Sequence, residues 1–96
     1  MQALPIALSG AGTFAIVPAV AGTRIAVYRI LIRAGAAMNI AILDGTTSLT
    51  GSMELANADE WQSDSEAYPL FEGSIGNPIN VSKTTTSPIA GRVWFE

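Results

Sequence analysis

The sequence predicts an all-β domain, and three observations carry that prediction. Apolar residues come in short alternating bursts, as where Met38, Ile40 and Ile42 interleave with Asn39 and Ala41. The bursts are cut by Gly, Pro and turn pairs such as Asp44-Gly45 and Asn77-Pro78. No stretch keeps a helical period long enough to compete. About seven or eight strands at roughly ten-residue spacing point to a sandwich or barrel.

The elements follow in order. Gln2–Leu8 reads as the first strand and is followed by the Ser9-Gly10-Ala11-Gly12 turn. Thr13–Val17 is the second, and it ends at Pro18 because proline has no N–H to give to a ladder. Ala21-Gly22-Thr23 then turns the chain into its longest strand, Thr23–Ala34. There Ile25 and Val27 fall on one parity and Ile30 and Ile32 on the other. Strict alternation would leave half of these four in water, so a β-bulge near Tyr28–Arg29 is expected to reset the phase.

Ala37–Leu43 alternates cleanly, and Asp44-Gly45 is expected at the centre of a type I′ hairpin turn. Ser48–Leu49 and Ser52–Leu55 are short returns around Gly51. Residues 56–67, polar and acidic, read as one long loop. The register resumes at Tyr68-Pro69-Leu70-Phe71, then at Pro78–Ser82 with Ile79 and Val81 on one face. Lys83–Ser87 reads as a turn. The last strand, Ile89–Phe95, places Ile89, Gly91, Val93 and Phe95 inward and Arg92 and Trp94 outward.

Composition bounds the function. Ninety-six residues give room for one core and one domain. A chain this size buries roughly 60–65% of the surface its unfolded form exposes. With 49% of residues apolar and only 14% charged, a surplus of apolar surface is expected to face a partner or further copies. The net charge of −3 argues against nucleic acid, which requires a dense basic patch. The absence of Cys and His removes thiolate and imidazole chemistry, so no cofactor is expected. The apolar stretch 14–32 is interrupted by Pro18, Gly22, Arg24 and Arg29 and does not read as a membrane-spanning helix. The first 22 residues lack the basic start of a signal peptide, so a β-hairpin is expected there instead.

Several segments together carry a resemblance. They are Ala-Gly-Thr-Arg-Ile-Ala-Val at 21–27, Ala-Ala-Met-Asn-Ile-Ala-Ile-Leu-Asp-Gly at 36–45 and Leu-Thr-Gly at 49–51. Tyr-Pro-Leu-Phe-Glu at 68–72, Gly-Asn-Pro-Ile-Asn-Val at 76–81 and the Ile-Ala-Gly-Arg-Val ending complete them. In this order the chain resembles the small jelly-roll-like structural proteins of tailed-bacteriophage virions, which decorate or cement the capsid. The resemblance implies a single jelly-roll-like antiparallel β-sandwich, with residues 1–8 as an arm or edge strand. It also implies a homo-oligomer, a trimer, partnered with the major capsid protein at the virion surface after synthesis in the host cytoplasm. The motifs involved are turns and core positions, not catalytic signatures.

Three side-chain groups stand out. Asp59, Glu60, Asp64 and Glu66 cluster four carboxylates, but the spacing of a calcium loop is absent and a solvated acidic loop is the expected outcome. Paired carboxylates can cleave glycosidic bonds, yet nothing here fixes a pair at a working separation. Arg24, Arg29 and Arg33 hold three of the five positive charges along one predicted strand. They read either as guards of an exposed edge or as a ladder meeting the acidic loop of a neighbouring subunit. Trp61 and Trp94, with Tyr28, Phe71 and Tyr68, are the aromatics to place. At a subunit interface they would serve as anchors; Trp61, Tyr68 and Trp94 in a shallow site would instead stack on sugar, the alternative of a tail- or head-fibre receptor module. The expected function is therefore structural and non-enzymatic.

Overall fold

Nested antiparallel pairing organises the chain. The structure, a computed structural model, describes residues 2–57, 59–65 and 68–96. Among them lie β1 (Gln2–Leu8), β2 (Gly12–Val17), β3 (Ala26–Ala34), β4 (Met38–Asp44) and β5 (Thr47–Ser48). β6 (Met53–Leu55), β7 (Glu60–Asp64), β8 (Phe71–Glu72), β9 (Ile79–Lys83) and β10 (Ile89–Phe95) follow. The first strand pairs with the last, β2 with β9, β3 with β7 and β8, and β4 with β5 and β6. Folding that nested ribbon over gives two sheets, β1-β10-β3-β7 with β8 beside β3, and β2-β9-β4-β5 with β6 beside β4. This is the jelly-roll strand order, an antiparallel β-sandwich of two Greek keys.

The count exceeds the expected seven or eight for two reasons. First, the partners of β4 and of β3 are each split into two short pieces, β5 with β6 and β7 with β8. Second, the stretch 56–67, read from sequence as a loop, contains β7. Its Glu-Trp-Gln-Ser-Asp alternates, with Trp61 and Ser63 half-buried and the other three exposed. The free side of β3 supplies the reason: its backbone N–H and C=O groups need partners, and β7 provides them from Arg29↔Asp64 to Arg33↔Glu60.

Side chains meet in the middle with their parities intact. Ile30, Ile32 and Val27 of β3, Ile40 and Ile42 of β4, Ile79 and Val81 of β9, and Ile89 and Val93 of β10 are fully buried. Each such side chain contributes about 1.5–3 kcal/mol through removal from water. The phase problem of the long strand is resolved at one residue. Trp94 pairs with Arg29 and Phe95 with Val27, so Tyr28 is the extra residue and Ile25, Val27, Ile30 and Ile32 all face the core.

The β4–β5 hairpin differs in detail from the expectation. Asp44 pairs with Thr47, so the two-residue connection is Gly45-Thr46 and Asp44 is the last residue of its strand. Gly45, at φ 61°, supplies the left-handed backbone.

The predicted apolar surplus is mostly alanine. Among the described residues the only exposed large hydrophobics are Val20, Tyr68 and Ile75. The sandwich therefore hides its large side chains by itself, and exposed alanines account for much of the high apolar fraction.

Candidate functional site

Each sheet presents one face to the core and one outward, and the outward faces carry contrasting chemistry. On the β1-β10-β3-β7 sheet, cross-strand register sorts the outer side chains by strand. β1 contributes Ala3, Pro5 and Ala7, and β10 contributes Ala90, Arg92 and Trp94 directly opposite them. β3 adds Arg33, Leu31 and Arg29 in the same rows, and β7 adds Glu60, Gln62 and Asp64. The face thus runs from small and apolar, through basic, to acidic.

Two corrections follow for the arginines. Arg24 is not on the long strand: it precedes β3 and bridges to Glu72 at 3.2 Å, with both side chains about half exposed. β3 is also not an edge, because β10 flanks it on one side and β7 and β8 on the other. Arg29 and Arg33 therefore guard no edge. Arg29 lies over the Trp94 ring, 4.5 Å from its centroid, and this cation–π contact covers one face of the indole. Arg92, which the sequence placed outward without assigning a role, lies diagonally between Arg29 and Arg33. Its own row, Pro5, Leu31 and Gln62, contains no carboxylate.

The acidic residues are divided by the fold. Glu60 and Asp64 project from the outer face of β7, whereas Asp59 is committed to a turn in which its Oδ2 accepts the Ala56 N–H at 2.8 Å. Glu66 lies outside the described residues. Among the described residues, no group of three or more carboxylates comes together to hold a metal ion.

The aromatics are divided as well. Trp61 pairs across from buried Ile32, so it faces inward and packs against the core, its ring centroid 6.4 Å from that of Phe71. Trp94 projects from the opposite side of the same sheet. Tyr68 is 75% exposed, in the segment between β7 and β8. A shallow platform built from Trp61, Tyr68 and Trp94 is not formed, because the sheet itself separates the two indoles.

The β2-β9-β4 sheet presents a different outer face. Thr13 and Ala15 lie beside Ser82 and Asn80, which lie beside Ala41 and Leu43. Among the described residues the only charge on this face is Glu54, paired with Asn39 at its margin. A flat mosaic of small uncharged side chains results.

Two buried charged residues, both missed as such from sequence, hold the loops. Lys83 continues the inward parity of Ile79 and Val81 and is only 2% exposed. Its Nζ donates to Gly10 O at 2.6 Å and Thr85 O at 2.8 Å, tying the β1–β2 turn to the β9–β10 turn. Burial pushes its pKa below the usual lysine value. The inward alternation was legible, but a turn-rich context hid it.

Asp44 works at the opposite end of the sandwich. Its Oδ1 accepts the Ser74 N–H at 3.0 Å and its Oδ2 the Ser74 hydroxyl at 2.8 Å. These bonds, the backbone one foremost, hold the carboxyl below its ordinary range, with Asn77 and Arg24 helping and burial opposing. The clamped loop carries Ile75, 62% exposed, and its Gly76 N–H reaches Thr23 O at 2.9 Å.

Two hollows are open at the ends of the sandwich. One, about 310 Å³, is lined by Leu4, Val17, Pro18, Ile25 and Phe95 between the sheets. The other, about 630 Å³, is wide and mixed in character, with Glu54, Asp59 and Thr85 among its walls. No helix is long and apolar enough to cross a membrane among the described residues. Comparison of the chain with protein-family models, with curated proteins and with solved structures found no match.

Proposed function

We propose that this chain is a non-enzymatic structural protein of a tailed-bacteriophage virion, which self-associates as a trimer and packs on the capsid surface against the major capsid protein. The observation that carries this reading is the outer face of the β2-β9-β4 sheet, which among the described residues bears no charge apart from Glu54 at its margin and suits packing on the shell. Interface cores are depleted of charge, and a surface of Thr, Ala, Asn, Ser and Leu has no ion to desolvate, while its hydroxyls and amides can be satisfied by hydrogen bonds across a contact. The jelly roll supports the reading at the level of fold, since viral capsid domains use it; so do lectins, and a fold alone does not choose between them.

The separation of Trp61 from Trp94 weighs against the carbohydrate-binding alternative. The mechanism is mechanical: small contacts repeated around a shell add by multivalency, so modest burial per subunit is sufficient. The test is where the native protein travels. Virions carrying its gene, banded by density and separated into heads and tails, should retain it on the heads and in multiple copies. Recovery with the tail fraction, or its absence from purified particles, would refute the capsid assignment.

A further inference from the structure

The outer face of the β1-β10-β3-β7 sheet carries three of the chain's five basic residues in Arg29, Arg33 and Arg92. Two of them have an acid directly across the sheet, Asp64 for Arg29 and Glu60 for Arg33. Arg92 has none. Its lateral neighbours are Pro5 and Leu31, and its diagonal neighbours on β3 are the other two arginines, about 7–8 Å away. The acidic column of its own chain is two strands off, about 10 Å, with Leu31 between. No carboxylate of the described residues forms an ion pair within 4.0 Å of Arg92, so it projects without a counter-charge.

The other side of Arg92 is open. β1 forms the border of the sheet, and its outer side chains, Ala3, Pro5 and Ala7, are too small to screen the guanidinium. Together they form a border strip of small side chains, a shallow trough by side-chain size alone, beside Arg92 and Trp94. Pro5 also removes a backbone donor from the middle of β1, so a visiting strand cannot extend the sheet through a full ladder there. A partner must lie over the trough with its side chains.

The complement to this trough is on the same molecule. At the far border of the face, β7 projects Glu60, Gln62 and Asp64, exposed and four residues apart at the two acids. We propose that the acidic column of β7 in a second copy packs over β1 and places one of its two carboxylates, Glu60 or Asp64, on Arg92 beside Trp94. Arginine and tryptophan are, with tyrosine, the side chains most often found as interface anchors, and a guanidinium donates two parallel hydrogen bonds to a carboxylate. Donor and acceptor patches differ, so the contact is heterologous and head-to-tail, the kind that closes a ring of subunits. This inference rests on the self-association proposed above and names the surface responsible for it.

The experiment is the solution mass of the full chain by size exclusion with light scattering, at low and high salt, for the wild type and surface variants. Arg92→Glu should raise the dissociation constant at least tenfold and shift the chain toward monomer. Its fold is preserved, since a carboxylate there falls diagonal to Arg29 and Arg33, and a thermal melt checks this. Glu60→Gln with Asp64→Asn should weaken association similarly. Combined with Arg92→Gln, that pair should cost little beyond Arg92→Gln alone, because both remove one contact. Thr46→Arg, exposed in the β4–β5 turn and on neither outer face, should leave the mass unchanged. An oligomer indifferent to Arg92→Glu, or variants whose effects simply multiply, would overturn the contact while leaving self-association standing. A wild type that is monomeric at every concentration would overturn both.

Discussion

Asp44→Asn tests whether a buried carboxylate sets the shape of one end of the sandwich. The carboxylate accepts both the Ser74 N–H and the Ser74 hydroxyl. Asparagine keeps one oxygen but loses the charge, so the remaining bond weakens and the other must reverse its donor. A hydrogen bond to a charged group is worth about 1.5–3 kcal/mol, and the expected loss is of that size. A domain of this length has a total stability of about 5–14 kcal/mol, so the change is readily measured. The midpoint of a thermal melt should fall on the order of 10 °C or more.

The pH dependence supplies the sharper test. Asp44 has a folded pKa below its ordinary value of 3.8. Its contribution is therefore fully present above that value and is lost as pH falls through the folded pKa. Urea titrations followed by tryptophan fluorescence, at neutral pH and down through the acid range, should show the wild type losing its advantage over the variant below about pH 4. Curves that stay parallel throughout, or a variant as stable as wild type at neutral pH, would refute the assignment of a stabilising clamp.

Other substitutions test the packing. Gly91→Ala should cost about 3 kcal/mol or more in urea unfolding, because its methyl would run into the Leu31 carbonyl of the adjacent strand, which cannot move aside as a side chain could. Lys83→Met should lose about 1–2 kcal/mol and speed hydrogen exchange at the Gly10 amide, which is bonded to Thr86 O, as the Gly10 and Thr85 carbonyls lose their shared donor. Trp61→Ala should cost about 2–3 kcal/mol through lost contact with the core, whereas Tyr68→Ser should stay within about 0.5 kcal/mol; equal effects would contradict the inward placement of Trp61.

How far the sequence could be read depends on the range of the interaction concerned. The bulge at Tyr28 was legible because four large aliphatics cannot reach one core in any other phase. The first and last strands were legible from alternation and turn residues alone, which act over a few bonds. The strand Glu60–Asp64 was not read, although it alternates, because its charges match loop composition. What makes it a strand is the unpaired side of β3, roughly thirty residues away in sequence, and no local window contains that. Lys83 was misread for the same reason, since the carbonyls that hold it belong to two separate turns.

The candidate surfaces follow the same division. From the sequence alone came the residue types: few charges, five of them basic, two tryptophans, and alternation that assigns each strand residue a side. Alternation is a property of the extended backbone and needs no partner strand. Only the tertiary structure decided which strands lie next to each other, and so which side chains share a face. Register placed Arg92 between Arg29 and Arg33, placed Arg29 on the Trp94 ring, and put the two tryptophans on opposite sides of one sheet. Pairing strands this far apart in sequence trades loop-closure entropy against burial summed over the whole core, so the choice belongs to the assembled fold and to no single segment of it.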